Sequence, residues 1–180
     1  MAITGGTEVS GFNYVILAVL VGAAFFTDMK DSRIPNNLVL AGVFAGILVN
    51  LTRGLEGLVF SLQGMAFGFT VLLLLYLLGG VGAGDVKLFA AIGAITGVGY
   101  TLSSLVYALF AAALIGSLLV IIRGEFIMRM KRLFYSILLV LTLGRVKIIS
   151  NFKETTGFRF PFMYAVLPGV TIAYFLPVLI

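Results

Sequence analysis

The chain has 180 residues, 61% of them hydrophobic and 11% charged, with a mean hydropathy of +1.18 and a net charge of +5. A soluble domain carries about 25% charged residues, so these charges are too few to cover a water-facing surface, and the same apolar bias excludes an intrinsically disordered chain. With no Cys and no His, disulfides, thiolate zinc sites, cysteine nucleophiles, Ser-His-Asp triads and imidazole bases are all excluded.

A membrane-crossing helix needs ~20 mostly apolar residues to span ~30 Å of hydrocarbon. The first such stretch in chain order is 11–27. Its nearest basic residue, Lys30, follows it. A secretory signal peptide has the reverse charge order, so the stretch reads as a mature span. Spans two and three are 36–51 and 58–79. From Val86 to Ile122 the only charged residue is Lys87. That run is too long for one crossing and divides into 86–98 and 100–122, with a turn at Thr96-Gly97-Val98-Gly99. The last span is 162–180. The expected fold class is an all-α integral membrane protein, a single polytopic domain over 1–180 with six transmembrane helices.

The basic residues set its orientation. With alternating spans, 28–35, 80–87 and 123–160 share one side and hold every Lys and Arg except Arg53. Positive charge marks the cytoplasmic side. The N-terminus and C-terminus are therefore both expected to be extracytoplasmic, with a basic cytoplasmic loop between spans five and six. In that loop Phe134–Leu143 is apolar but too short to cross, so 123–147 reads as an interfacial helical segment with basic flanks on anionic headgroups. The basic excess is thus a topology signal, with the lipid bilayer as a partner and no nucleic acid. Gly42 and Gly46, Gly64 and Gly68, and Gly93 and Gly97 are each spaced four apart, the pattern that lets helix backbones approach closely in lipid.

Of the seven acids, Glu8, Glu56, Glu125 and Glu154 fall in loop or tail segments and read as solvated charges. Asp28 closes span one in Asp28-Met-Lys-Asp-Ser-Arg-Ile-Pro-Asn36, and Asp85 opens span four in Gly82-Ala-Gly84-Asp85-Val-Lys87. The topology places both at the cytoplasmic boundary, and ionisable groups at the edge of spans are costly and often functional. Each also has a plain structural reading: Asp85 as a helix N-cap, Asp28 as a surface charge beside Lys30 or Arg33. Their matched depth favours a joint role. Two neighbouring Asp carboxylates cannot both ionise easily, so they share a proton. The ionised member can take a proton from a water that attacks a peptide carbonyl, while the protonated member donates to the carbonyl oxygen. This is aspartic protease chemistry, and it needs no metal and no cofactor.

Asp28-x6-Pro35-Asn36 followed by Gly82-x-Gly84-Asp85, at those boundaries, resembles the two signatures of the prepilin peptidases. These GxGD membrane proteases remove the leader from type IV prepilins and related precursors. The resemblance covers roughly spans one to five and is least specific after Ile122. It implies that Asp28 and Asp85 are the catalytic aspartates and leaves Asp31 outside the pair. Pro35, Asn36, Gly82, Gly84 and Lys87 fall within or beside the motifs and are expected to bind substrate or shape the site. The glycines at 79, 80, 82 and 84 either leave backbone open to an extended substrate or simply form a flexible turn. The implied partner is a prepilin or preflagellin-like precursor whose short basic leader stays in the cytoplasm and ends just before a hydrophobic helix. The implied location is the inner membrane, with the site at its cytoplasmic face.

The large bacterial form of this family carries an added N-terminal portion with paired cysteines, associated with N-methylation. Here only a short segment precedes the first span and cysteine is absent. The chain is therefore more similar to the compact, peptidase-only form that serves Flp-type tight-adherence pili or archaeal preflagellins. Two readings from other classes stay open on the residues alone: a small transporter or proton-coupled carrier with Asp85 as relay, and a structural membrane subunit that uses its basic loop to bind lipid or a partner.

Overall fold

The computed structural model describes residues 9, 11–31, 33–122 and 162–176. The expected interfacial segment 123–147 and its basic loop lie outside the described residues, as do Glu8, Glu125 and Glu154. Every element among the described residues is a helix: α1 (Gly11–Asp31), α2 (Asn36–Leu51), α3 (Leu55–Leu77), α4 (Ala83–Ile122) and α5 (Met163–Phe175). Three of them, α1, α3 and α4, are long and apolar enough to cross a membrane, while α2 and α5 are shorter apolar helices. Their outward faces are apolar too. In α1, Phe12, Val15, Val19 and Phe26 are exposed while Leu17, Leu20, Val21 and Ala24 are buried. A helix that is apolar all round must have either core or hydrocarbon on every side, so these features fit an integral membrane protein.

The chain divides into two compact units, Met1–Ala112 with Pro161–Ile180, and Ala113–Phe160. In the second unit, residues 113–122 are described and are helical. The first unit holds the core, and its centre is the first arm of α4, residues 83–96. Val86, Leu88, Phe89, Ala91, Ile92 and Ile95 on this arm are all buried. The glycine spacings seen in the sequence face it. A side chain at Gly42 would meet Ala91, one at Gly46 would meet Ile95 and the Ala94 carbonyl, and one at Gly68 would meet the Phe89 carbonyl. Gly64 and Gly93 are in mutual contact, since a β-carbon on either would fall on the backbone of the other. Lipid tails supply no hydrophobic drive between helices, so close backbone packing of this kind is what holds them together.

α4 is broken at Gly97, whose φ of 74° and ψ of −175° are non-helical. This is the turn expected at 96–99, compressed to one residue. The conformation is essentially restricted to glycine, and the Phe60 ring occupies the space a β-carbon would need. The second arm then packs against α5. A side chain at Gly169 would meet Ala108, and the Tyr100 hydroxyl donates to the Val170 carbonyl at 2.7 Å.

Three buried polar residues gather at the break. Asn13 Nδ2 donates to the Ile95 carbonyl at 2.8 Å and to Asn50 Oδ1 at 3.0 Å. Asn50 Nδ2 donates to the Ala94 carbonyl at 3.1 Å, the Ile95 carbonyl at 3.2 Å and Ser61 Oγ at 2.9 Å. Side chains from α1 and α2 thus meet the last turn of the first arm of α4, and Asn50 links Ser61 of α3 to them. Backbone groups at a helix end need partners from outside the helix, and here amides supply them.

Candidate active site

At its other end the first arm of α4 meets the end of α1, the start of α2 and the loop that follows α3. α1 continues through Asp31, four residues past the expected end at residue 27, so Asp28 sits in its last turn. Asp28 also prolongs the buried stripe Asn13, Leu17, Leu20 and Ala24, whose spacings of four, three and four keep one helical face toward the core. Thr27 turns its hydroxyl back to the Ala23 and Ala24 carbonyls, both at 3.0 Å. The chain then enters α2 through Pro35, which is extended at φ −62° and ψ 135°. Proline lacks a backbone N–H and disfavours helix in the residue before it, so Ile34-Pro35 ends one helix and starts the next. The Pro35 carbonyl accepts the Val39 N–H at 3.3 Å.

α3 stops at a glycine cap. Gly79 has a φ of 79°, its N–H donates to the Tyr76 carbonyl at 2.9 Å, and the Gly80 N–H donates to the Leu75 carbonyl at 2.9 Å. Those two bonds form a Schellman motif, which closes a helix with a left-handed residue. Two residues on, Gly82 precedes the first residue of α4. Asp85 is the third residue of that helix, and its Oδ2 accepts the Gly82 N–H at 3.0 Å. The plain structural reading made Asp85 an N-cap. It instead makes the reciprocal bond of a capping box, reaching back from the third helical position. One oxygen is thereby fixed by backbone.

The two motifs converge. Lys87 Nζ donates to Asn36 Oδ1 at 2.9 Å, joining the start of α4 to the start of α2. A side chain at Gly84 would meet Ile34 at 3.5 Å, so the Ile34-Pro35-Asn36 turn lies along Gly84–Lys87. Asp85 is 8% exposed. Asp28 is partly buried, in the last turn of α1 just before that prolyl turn. Two carboxylates in unequal surroundings are what an acid–base pair requires. Gly82, Gly84, Asn36 and Lys87 all lie around Asp85, while Pro35 contributes through its backbone. Asp31 is exposed at the final residue of α1. Sequence reasoning passed over Ile34, an apolar residue between Arg33 and Pro35 whose position signalled packing. It also passed over Asn13 and Asn50, amides inside apolar runs and therefore costly there.

These helices and this convergence of the two aspartate-bearing motifs define a helical membrane protein with a candidate acid–base centre. The model of the Type IV leader peptidase family matches residues 15–121, more than half of the chain and all of the site, and the chain belongs to that family. Three curated relatives are each named prepilin leader peptidase/N-methyltransferase. The protein of Neisseria gonorrhoeae is 32% identical over 118 residues, covering 59% of this chain and 40% of the relative. That of Bacillus subtilis (strain 168) is 33% identical over 115 residues, covering 63% and 45%. That of Aeromonas salmonicida (strain A449) is 36% identical over 113 residues, covering 56% and 39%. The chain thus spans less than half the length of these relatives. No solved structure matches it.

Proposed function

We propose that the chain is a membrane-embedded aspartic endopeptidase. It would cleave the short basic leader from type IV prepilin-like precursors at the cytoplasmic face of the inner membrane, with Asp28 and Asp85 as the catalytic pair. The observation that carries this reading is the packing of the Ile34-Pro35-Asn36 turn, which follows Asp28, along Gly84–Lys87, which holds Asp85, inside the segment that matches the leader peptidase family. One carboxylate takes a proton from the attacking water, and the other donates to the scissile carbonyl oxygen. The tetrahedral intermediate then collapses, the amide nitrogen leaves with a proton, and the carboxylates return to their starting states. A site at the end of the helices suits a scissile bond just before a hydrophobic helix, because the bond can be cut without unwinding that helix in lipid. Gly82 and Gly84 leave the rim of the site free of side chains, so an extended leader could lie along it. Family membership favours this reading over a proton-coupled carrier.

The topology we propose is six spans with both termini outside, supported by the placement of all basic residues but Arg53 on one side. The chain has no Cys, so a single cysteine at Met130 gives a clean accessibility test. Labelling from outside intact cells would overturn this orientation. For the activity, purified protein is incubated with a prepilin, with Asp28→Asn and Asp85→Asn as near-isosteric variants. Both variants should enter the membrane and leave the leader uncut. Full processing by either would refute the assignment.

A further inference from the structure

The Asn13–Asn50 amide pair lies far from the carboxylates, and leader cleavage as proposed makes no use of it. Asn13 is 1% exposed and Asn50 is fully buried. Asn13 Oδ1 has no hydrogen-bond partner among the described residues, so the amide is kept although part of it is unmatched. An apolar side chain of similar size would avoid that cost, since an unsatisfied buried acceptor is destabilising. The bonds that are made tie three separate helices to one place on a fourth. Asn13 of α1 and Asn50 of α2 both hold the Ile95 carbonyl, and Asn50 also holds Ser61 of α3.

The position of Asn13 on α1 gives these bonds a consequence for the carboxylates. Asn13 and Asp28 are fifteen residues apart, which at 100° per residue leaves them about 60° apart around the axis and about 22 Å apart along it. They are two ends of one core-facing stripe, with Leu17, Leu20 and Ala24 between them. Fixing the rotation and height of α1 at Asn13 therefore also fixes the direction and height of Asp28. The partner of that bond, Ile95, is on the same unbroken arm of α4 as Asp85, before the break at Gly97. The Asn13–Ile95 bond thus joins the two helices that carry the two carboxylates. Hydrophobic packing alone, between apolar surfaces in lipid, holds rotation and sliding less strictly than directed hydrogen bonds do.

We propose that Asn13 and Asn50 are positioning residues that set the register of α1 against the first arm of α4, and so hold Asp28 in line with Asp85. This rests on the assignment of Asp28 and Asp85 as the catalytic pair. The test replaces each amide by leucine, which is close in size and suits a lipid-embedded core. Two quantities are read in each variant. One is the kinetics of prepilin cleavage per folded molecule. The other is the distance between spin labels on cysteines at Met29 and Ala83, exposed positions beside the two aspartates. Misplacement of reacting groups by about 1 Å costs on the order of 100-fold in rate. Asn13→Leu and Asn50→Leu should therefore lose roughly 10- to 100-fold in kcat with KM nearly unchanged, and the interlabel distance should shift or broaden. Thr171→Val, which removes an exposed hydroxyl bonded only within its own helix, should alter neither. Asn13→Gln keeps the amide and displaces it by one methylene, so it should fall between wild type and Asn13→Leu in both readouts. It also serves if a leucine variant fails to insert. An unchanged distance and unchanged kcat in folded variants would overturn the proposal. So would a fall in thermal stability alone, which would make the amides merely structural. If the wild-type protein leaves prepilin uncut, the peptidase reading fails, while the interlabel distance still decides whether the amides set the register.

Discussion

The two ends of the first arm of α4 are built from opposite materials. At the Asp85 end there are carboxylates, a lysine, a prolyl turn and glycines, and most of these groups are partly or fully open: Asn36, Gly82 and Lys87 are exposed. At the Ile95 end there are neutral amides and hydroxyls, all buried, with each amide making at least two bonds. The division has a physical basis. Charged groups and an attacking water need access to solvent, and a carboxylate carried into hydrocarbon is costly. Neutral hydrogen bonds can be buried and gain directional hold from it. On the roles proposed above, chemistry sits where water reaches, and alignment is set where it does not. Mutations at the two ends should consequently fail in different ways: at the Asp85 end activity falls with stability kept, and at the Ile95 end stability and geometry fall first.

The strongest test of that contrast is at the carboxylates. Asp28→Asn and Asp85→Asn each remove one half of the proposed acid–base pair, and such catalysis contributes on the order of 100- to 10,000-fold. Leader cleavage should drop by at least that much, while the thermal midpoint in detergent should hold or rise. Of the two, Asp85→Asn should disturb the fold more. Its carboxylate accepts the Gly82 N–H, and an asparagine can keep that bond only if its amide oxygen faces the backbone. If either variant unfolded as it lost activity, the division between the two ends would fail.

Gly97→Ala addresses the opposite end. Its φ of 74° with ψ of −175° costs a residue with a β-carbon about 1–3 kcal/mol, and the Phe60 ring adds a steric clash. The thermal midpoint should fall, and activity should follow through the altered course of α4. Adding Phe60→Ala should relieve the steric part only, so the double variant separates strain from crowding. A Gly97→Ala protein as stable as wild type would show that the break is not needed.

What the sequence made legible follows from which signals are local. The first four helices could be placed from runs of apolar residues and from the charges and prolines that end them. The α2 bounds, Asn36–Leu51, coincide with those expected because Pro35 at one end and Arg53 beyond the other are both chain-local. The break in α4 was visible in Thr96-Gly97-Val98-Gly99. The end of α1 was placed at residue 27 because a charge was taken to end the helix. Asp28, Lys30 and Asp31 continue it instead, since a helix can carry charges once it has passed the hydrocarbon. Asp85 was visible as a helix-start residue, but whether it caps from the first position or the third depends on where the Schellman turn at Gly79 releases the chain. The amide pair was the least legible. Asn13 and Asn50 are 37 residues apart, and only the packing of three helices on α4 brings them together.

Smaller effects should come from the Lys87–Asn36 bond. Both residues are exposed, so their hydrogen bond competes with water, and its loss should cost about 0.5–1.5 kcal/mol at most. Lys87→Met keeps the apolar stem and removes the donor. We expect leader cleavage to fall by about threefold or less, with the loss in KM if Lys87 also meets the substrate and in kcat if it only steadies the start of α4. Asn36→Ala should then add nothing to Lys87→Met, because the two residues share one bond. A tenfold loss from either would mean that Lys87 belongs with the carboxylates.

The smallest effect should be at Asp31, which makes it a sharp control. It lies three residues from Asp28 on the same helix end, so Asp31→Asn removes the same charge from nearly the same place. Asp31 is exposed as the last residue of α1, beyond the stripe that runs from Asn13 to Asp28. Charges on an exposed surface are screened within a Debye length of about 8 Å at physiological salt. Its removal should thus change the field at Asp85 little. Cleavage should stay within about twofold of wild type, a margin under 0.5 kcal/mol in barrier height. The comparison with Asp28→Asn then isolates position from charge. If Asp31→Asn lost activity as deeply as Asp28→Asn, net charge at the end of α1 would be what matters, and the pairing of one particular carboxylate with Asp85 would have to be abandoned. If it kept activity while Asp28→Asn did not, a step of three residues along one helix would separate a solvated aspartate from a working one.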